Sequence, residues 1–307
     1  MAAPRGALRL IPEAASATPP IAEQSSRRGL EGHLELVCAC DAHGRTFLRH
    51  QSFRAPIHLS KPHLEGGVLV LNVVNPTAGL LAGDRIRSDV EVEAGARLLL
   101  TTPSASRAHS SGREWSEVDQ SFRIAAGGKL ENWPELFIPQ RGSSYRQRTT
   151  IEIEPGGELL FFETLAPGRV AMGEAFAYTA LDWETTITIR GCRIARERYR
   201  LDPTREGVAA LRERFATAYY ASCFVITPEL DAGDPCWERI HELHERSAWV
   251  GCSALLESGW VIKVITEGSV LLRRKLAAIR QILYAALNRP APELRRAGEL
   301  LHCHTTA

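Results

Sequence analysis

Three times along the chain, a strand-like run, a glycine turn and a second strand-like run follow one another in the same pattern. The copies are VEVEAGARLLL (90–100), FRIAAGGKLEN (122–132) and IEIEPGGELLF (151–161). Their turn glycines, Gly95, Gly127 and Gly156, lie 32 and then 29 residues apart. A period near 30 built only from strands favours stacked β-layers, because one such unit cannot bury its apolar face alone and neighbouring copies can. An ordinary antiparallel meander with similar turns uses the same residues but does not require the regular period. Pro155-Gly156 suits a type II turn: proline fixes φ at the second position and glycine accepts positive φ at the third.

The surrounding sequence extends this reading. Residues 33–40 and 45–53 read as a hairpin around 41–44, residues 68–75 as a buried strand, and 86–93 and 146–154 as alternating, half-buried strands. After residue 200 the texture becomes helical. Residues 204–220 place Leu211, Phe215 and Ala218 on one face, and 235–249 suggest a second helix. Residues 256–265 read as strand around Ser258-Gly259. The most regular helix spans 270–287, with Leu271, Leu272, Leu276, Ile279, Ile282, Leu283 and Leu287 in an apolar stripe and Arg273, Arg274, Lys275 and Arg280 largely off it. Asn288-Arg289-Pro290 ends it. The expected fold is mainly β: a stacked, solenoid-like β-sheet body with two or three helices toward the C-terminus. No linker divides it, so the expected organisation is a disordered tail over 1–28, a β-rich domain over 29–290 and a C-terminal tail over 291–307. The first 28 residues are rich in Ala, Pro, Ser and Arg and lack the compact apolar segment of a secretory signal; a transit peptide is the alternative they permit.

Composition narrows the function. A formal net charge of +1 across 307 residues provides no basic excess for nucleic acid. Seven scattered cysteines fit a reducing cytoplasm better than a disulfide framework. No apolar run reaches the roughly 18 residues of a membrane span. The sequence has no phosphate-binding loop, no nucleophile elbow and no dinucleotide fingerprint.

Three polar clusters stand out. Asn75-Pro76 through Gly79 to Gly83-Asp84 is either a tight turn capped by the Asp84 carboxylate or a loop that presents it. Thr101, Thr102 and Pro103 open a hydroxyl-rich turn or an anion nest. Gly168-Arg169 and Gly173-Glu174 frame a bend in which Arg169 pairs with Glu174, or in which Glu174 is a hard oxygen ligand for a divalent cation. Softer ligands occur as Cys38 and Cys40 on one strand face, as His241 and His244 at helical spacing, and as His302-Cys303-His304 near the end. Glu131, Glu135 and Glu163 are the acids that a glycan hydrolase built on this body would need in pairs.

Taken in order, Asn75-Pro76 to Gly83-Asp84, Leu98 to Pro103, Leu130-Glu131 with Trp133-Pro134, and Gly168-Arg169 with Gly173-Glu174 resemble the signature blocks of the UreD (UreH) urease accessory proteins. The resemblance runs from about residue 34 to 290. It departs from the family pattern at Ala78, Ala82, Arg107, His109 and Leu136. It implies a non-catalytic, mainly-β scaffold in the cytoplasm that binds apo-urease and UreF, and UreG through UreF, with no nucleic-acid or membrane partner. It also implies no tightly bound cofactor, only nickel in transit through an internal channel. Asp84 and Glu174 are then the carboxylates expected along the route, and His302, Cys303 and His304 a site for capturing nickel from solution. A UreD-like binding module without a nickel role is the remaining alternative.

Overall fold

The computed structural model describes residues 29–77, 79–112, 114–256 and 259–294. The expected N-terminal tail and the His302-Cys303-His304 site lie outside the described residues.

Two β-sheets of seven and eleven strands face each other, and each repeat of the sequence contributes one strand to each sheet. Arg85–Val92, Ser116–Ile124 and Ser144–Ile153 lie parallel in the first sheet. Their continuations Arg97–Thr101, Lys129–Trp133 and Glu158–Leu165 lie parallel in the second. Parallel neighbours require a crossover, and here the opposite sheet is the crossover, which gives the body its solenoid-like stacking. The turns are those the repeat predicts. Ala96, Gly128 and Gly157 donate their amides to Glu93, Ala125 and Glu154 at 3.1, 2.9 and 2.8 Å. Gly95, Gly127 and Gly156 occupy the third position with φ of 74°, 73° and 85°.

Glu31–Cys40 and Ala180–Ile189 continue the parallel order at the two sides of the first sheet, and their hairpin partners Thr46–Arg54 and Cys192–Leu201 close it antiparallel. Tyr219–Ile226, Gly259–Thr266 and Ala248–Ala254 extend the second sheet.

Between the sheets, matching positions form rungs. Leu36, Val90, Phe122, Ile151 and Ile187 line one rung in the first sheet, facing Leu71, Leu100 and Phe161 of the second. The outer face of the second sheet is covered by α2 (Cys236–His241) and α3 (Ser269–Ala286), which follow α1 (Glu206–Arg214) in the chain. Leu272, Leu276, Ile279 and Leu283 of α3 pack on Leu160, Phe162, Val225 and Ile262. Glu158–Leu165 is therefore buried at every position, as a strand covered on both faces must be.

Two expected helices are shorter than their sequence patterns. The helix predicted over 204–220 stops at Arg214; Phe215 turns extended, and Tyr219–Ile226 pairs as a strand because its aromatic and apolar residues complete the sheet. The helix predicted over 235–249 ends at His241, and Ala248–Ala254 forms an edge strand. Arg280, expected off the apolar stripe of α3, is buried with it.

Candidate functional site

One rung of the inner face is polar. Ser88 pairs with Gln120, Gln120 with Thr149, and Thr149 with Thr185 across four parallel strands of the first sheet. Opposite them, the second sheet contributes Asn132 and Glu163. The two polar surfaces leave a cavity of about 180 Å³, closed by Phe122, Phe137, Phe161 and Trp183.

Glu163 is its only carboxylate buried deep between the sheets. It is 4% exposed and accepts hydrogen bonds on Oε1 from Trp183 Nε1 at 2.8 Å, Thr185 Oγ1 at 2.8 Å and Gln147 Nε2 at 3.5 Å. Its other oxygen, Oε2, is buried with no hydrogen-bond partner among the described residues. Burial pushes the Glu163 carboxyl up to about 7, against the pull of the Trp183 and Thr185 donors. Around it the network closes on itself: Tyr145 donates to Gln147 Oε1 at 2.6 Å, and Thr149 donates to Gln120 Oε1 at 3.2 Å. The cavity thus offers one open carboxyl oxygen among neutral amides and hydroxyls, a donor set suited, when the carboxyl is ionised, to weak and exchangeable contact with a hydrated divalent cation.

The cavity adjoins the outside. A groove of about 700 Å³ runs between the second sheet, α3 and residues 291–294. Thr101, Thr102, Pro134, Glu135, Phe162 and Thr164 line both the groove and the cavity. At this junction Thr102 Oγ1 accepts the Glu135 amide at 2.8 Å, and Arg273 of α3 donates to the Glu135 carboxylate at 2.8 Å.

The polar clusters of the sequence surround this route but do not all open onto it. Asn75 lines the cavity and folds its own loop, accepting from the Thr77 amide at 3.0 Å. Pro76 is exposed, and Gly79 and Gly83 carry the loop through positive φ. Thr101 and Thr102 stand at the junction, and Pro103 on the groove. Asp84 is buried, but both oxygens are engaged: Leu30 and Leu81 donate backbone amides to them at 2.8 Å each. Glu174 receives both Arg169 Nε and Nη2, at 2.7 and 2.6 Å, and Arg169 holds its carboxyl below the ordinary range. Neither Asp84 nor Glu174 lines the cavity or the groove. Gly168 permits the Arg169–Glu174 bend: a Cβ there would stand 2.1 Å from the Glu174 carbonyl oxygen. Gly173 closes the short turn Val170–Met172 in the left-handed conformation.

The other ligand candidates separate. Cys38 is a core residue whose thiol is pushed up to about 12 by burial, while Cys40 is only half-buried. The acids considered for hydrolysis point different ways: Glu131 lies on the outer face under α3, bound by Arg280 and Tyr284, Glu135 by Arg273, and Glu163 faces inward. Among the described residues no group of three or more His, Cys, Asp or Glu side chains forms a metal cage.

The sequence matches the family described as UreD urease accessory protein over residues 30–297. It is 45% identical over 270 residues to the urease accessory protein UreD of Opitutus terrae, covering 86% of this chain and 98% of that one. The chain belongs to the UreD family. Two further UreD proteins are also similar: that of Deinococcus radiodurans is 34% identical over 69% of this chain and 76% of its own length, and that of Pseudomonas entomophila 30% over 86% and 92%. The blocks that resemble UreD fall on two strands of the second sheet, Arg97–Thr101 and Lys129–Trp133, and on the loops at 75–84 and 168–174. What sequence reasoning missed is the polar rung. Its signal was present, since Ser88, Gln120 and Thr149 each stand seven residues before a turn glycine.

Proposed function

We propose that the chain is a non-catalytic urease maturation scaffold that conducts nickel, as cargo, from a partner to apo-urease. The observation that carries this reading is the interior cavity, with the open oxygen of Glu163 inside and a groove at its edge, in a member of a urease accessory family. A conduit requires ligands that bind and release. One carboxylate among amides and hydroxyls does so, whereas a set of thiolates would trap the ion. Glu163 takes the interior role, and Glu135 stands at the entrance. Asp84 and Glu174 act one step removed, by fixing the loops at 75–84 and 168–174.

In this reading one surface binds apo-urease and another binds UreF, which brings UreG, and the chain works in the cytoplasm. No helix among the described residues is long and apolar enough to cross a membrane. The direct test is deletion of the gene in a urease-positive host. Urease protein is expected to persist while its nickel content and activity are lost, and re-expression is expected to restore both. A host that matures urease normally without the chain overturns the proposal.

A further inference from the structure

Far from the interior route, the surface between α2 and the edge strand Ala248–Ala254 carries a thiol beside an imidazole. Cys252 Sγ lies 3.1 Å from Nε2 of His241, the last residue of α2. Cys252 is half-buried and His241 exposed, so the pair opens to solvent on one side. The neighbouring groups are otherwise engaged. His244 uses Nδ1 to accept the Val250 amide at 3.3 Å, and Cys236 is buried, with its amide donating to Asp234 at 2.8 Å.

We propose that Cys252 and His241 form a surface binding site for a borderline divalent cation of the Ni2+ or Zn2+ type, separate from the interior cavity. The geometry is set in advance. With metal–sulfur and metal–nitrogen bonds of about 2.3 and 2.05 Å, two ligands span about 3.1 Å at a right angle and about 3.5 Å at the tetrahedral angle. The observed separation matches the first value, and a small side-chain rotation reaches the second. A neutral thiol beside a neutral imidazole carries one proton that the metal must displace; the Trp237 carbonyl oxygen also lies 4.0 Å from the sulfur. On binding, this proton leaves to solvent, both lone pairs turn to the metal, and waters complete the coordination. Thiolate and imidazole select borderline metals over magnesium or calcium. Two protein ligands make the site weak and exchangeable, which suits capture rather than storage. The proposal stands independently of the conduit, because these residues take no part in it.

The test is a titration of nickel chloride into the full chain carrying His302→Ala, Cys303→Ser and His304→Ala, which removes the competing terminal ligands. The readout is the thiolate-to-nickel charge-transfer absorbance. A band is expected in this background and in one that also carries Cys192→Ser, which removes an exposed thiol. Cys252→Ser is expected to abolish it, and His241→Ala, at an exposed position, to weaken binding at least tenfold. No band, a band that survives Cys252→Ser, or one removed by Cys192→Ser overturns the site.

Discussion

Glu163 is costly to the fold and, in the proposed reading, serves the function. Its Oε1 is saturated by Trp183, Thr185 and Gln147, its Oε2 is left open, and burial favours the neutral acid. A carboxyl at about 7 when folded, against 4.5 for the ordinary group, contributes its full stability below pH 4.5. That contribution declines as pH rises through 7 and stays lost above it, because the folded state then holds a buried charge. The loss is on the order of 3 kcal/mol at its limit, at 1.36 kcal/mol per pKa unit. Glu163→Gln keeps an oxygen for the three donors and removes the charge. The variant is therefore expected to be more stable than the parent at pH 8 and nearly equal to it near pH 4.5, as read from urea midpoints at both. The same variant is expected to lower urease activation several-fold, since a neutral amide attracts a cation less. Equal destabilisation at both pH values would mean that the carboxyl does not titrate there. Sequence reading gave Glu163 to a hydrolase because an isolated acid does not reveal which face of a strand it occupies; only pairing with Ser222 and the strand's place between two covered faces fixes that.

At the level of elements, the repeat was legible because a backbone signal marks it: a positive-φ glycine recurs where strands must pass from one sheet to the other. The helices were less legible. Residues 204–220 have helical spacing, yet sheet pairing at long range takes the aromatic strand Tyr219–Ile226. The docking of α3 was visible as an apolar stripe, but not the ion pair within it. Arg280 donates to both oxygens of Glu131, at 2.5 and 2.9 Å, and Tyr284 adds a third bond at 2.7 Å, all under the helix. Removing one member strands the other in a dry site, whereas replacing both removes the desolvation cost as well. Arg280→Met is expected to cost about 3–5 kcal/mol in denaturant unfolding. Glu131→Leu combined with Arg280→Met is expected to recover most of that loss. If the double variant is as unstable as the single, the guanidinium over the Trp133 ring, and not its pairing with Glu131, anchors the helix.

For the whole molecule, the two tasks proposed above, holding partners and conducting a cation, are separable, because a space between the sheets and an outer surface are built from different residues. Thr101 lies at the junction, lining the groove and the cavity from the end of its strand. In the proposed conduit, an aromatic ring at this position fills the space between groove and cavity, at an overpacking cost of typically 1–3 kcal/mol. Thr101→Phe is therefore expected to leave the partners co-purifying while the nickel content and activity of the matured urease fall at least tenfold. Thr101→Ser, which leaves the passage open, is expected to behave as the parent. A pure scaffold predicts the opposite for the aromatic variant, since closing an internal void does not alter an outer surface. Normal maturation by a folded Thr101→Phe chain would therefore take the cation off this route while leaving the partner contacts intact. The open oxygen of Glu163 would then mark a hydrated pocket at the centre of a rigid docking body.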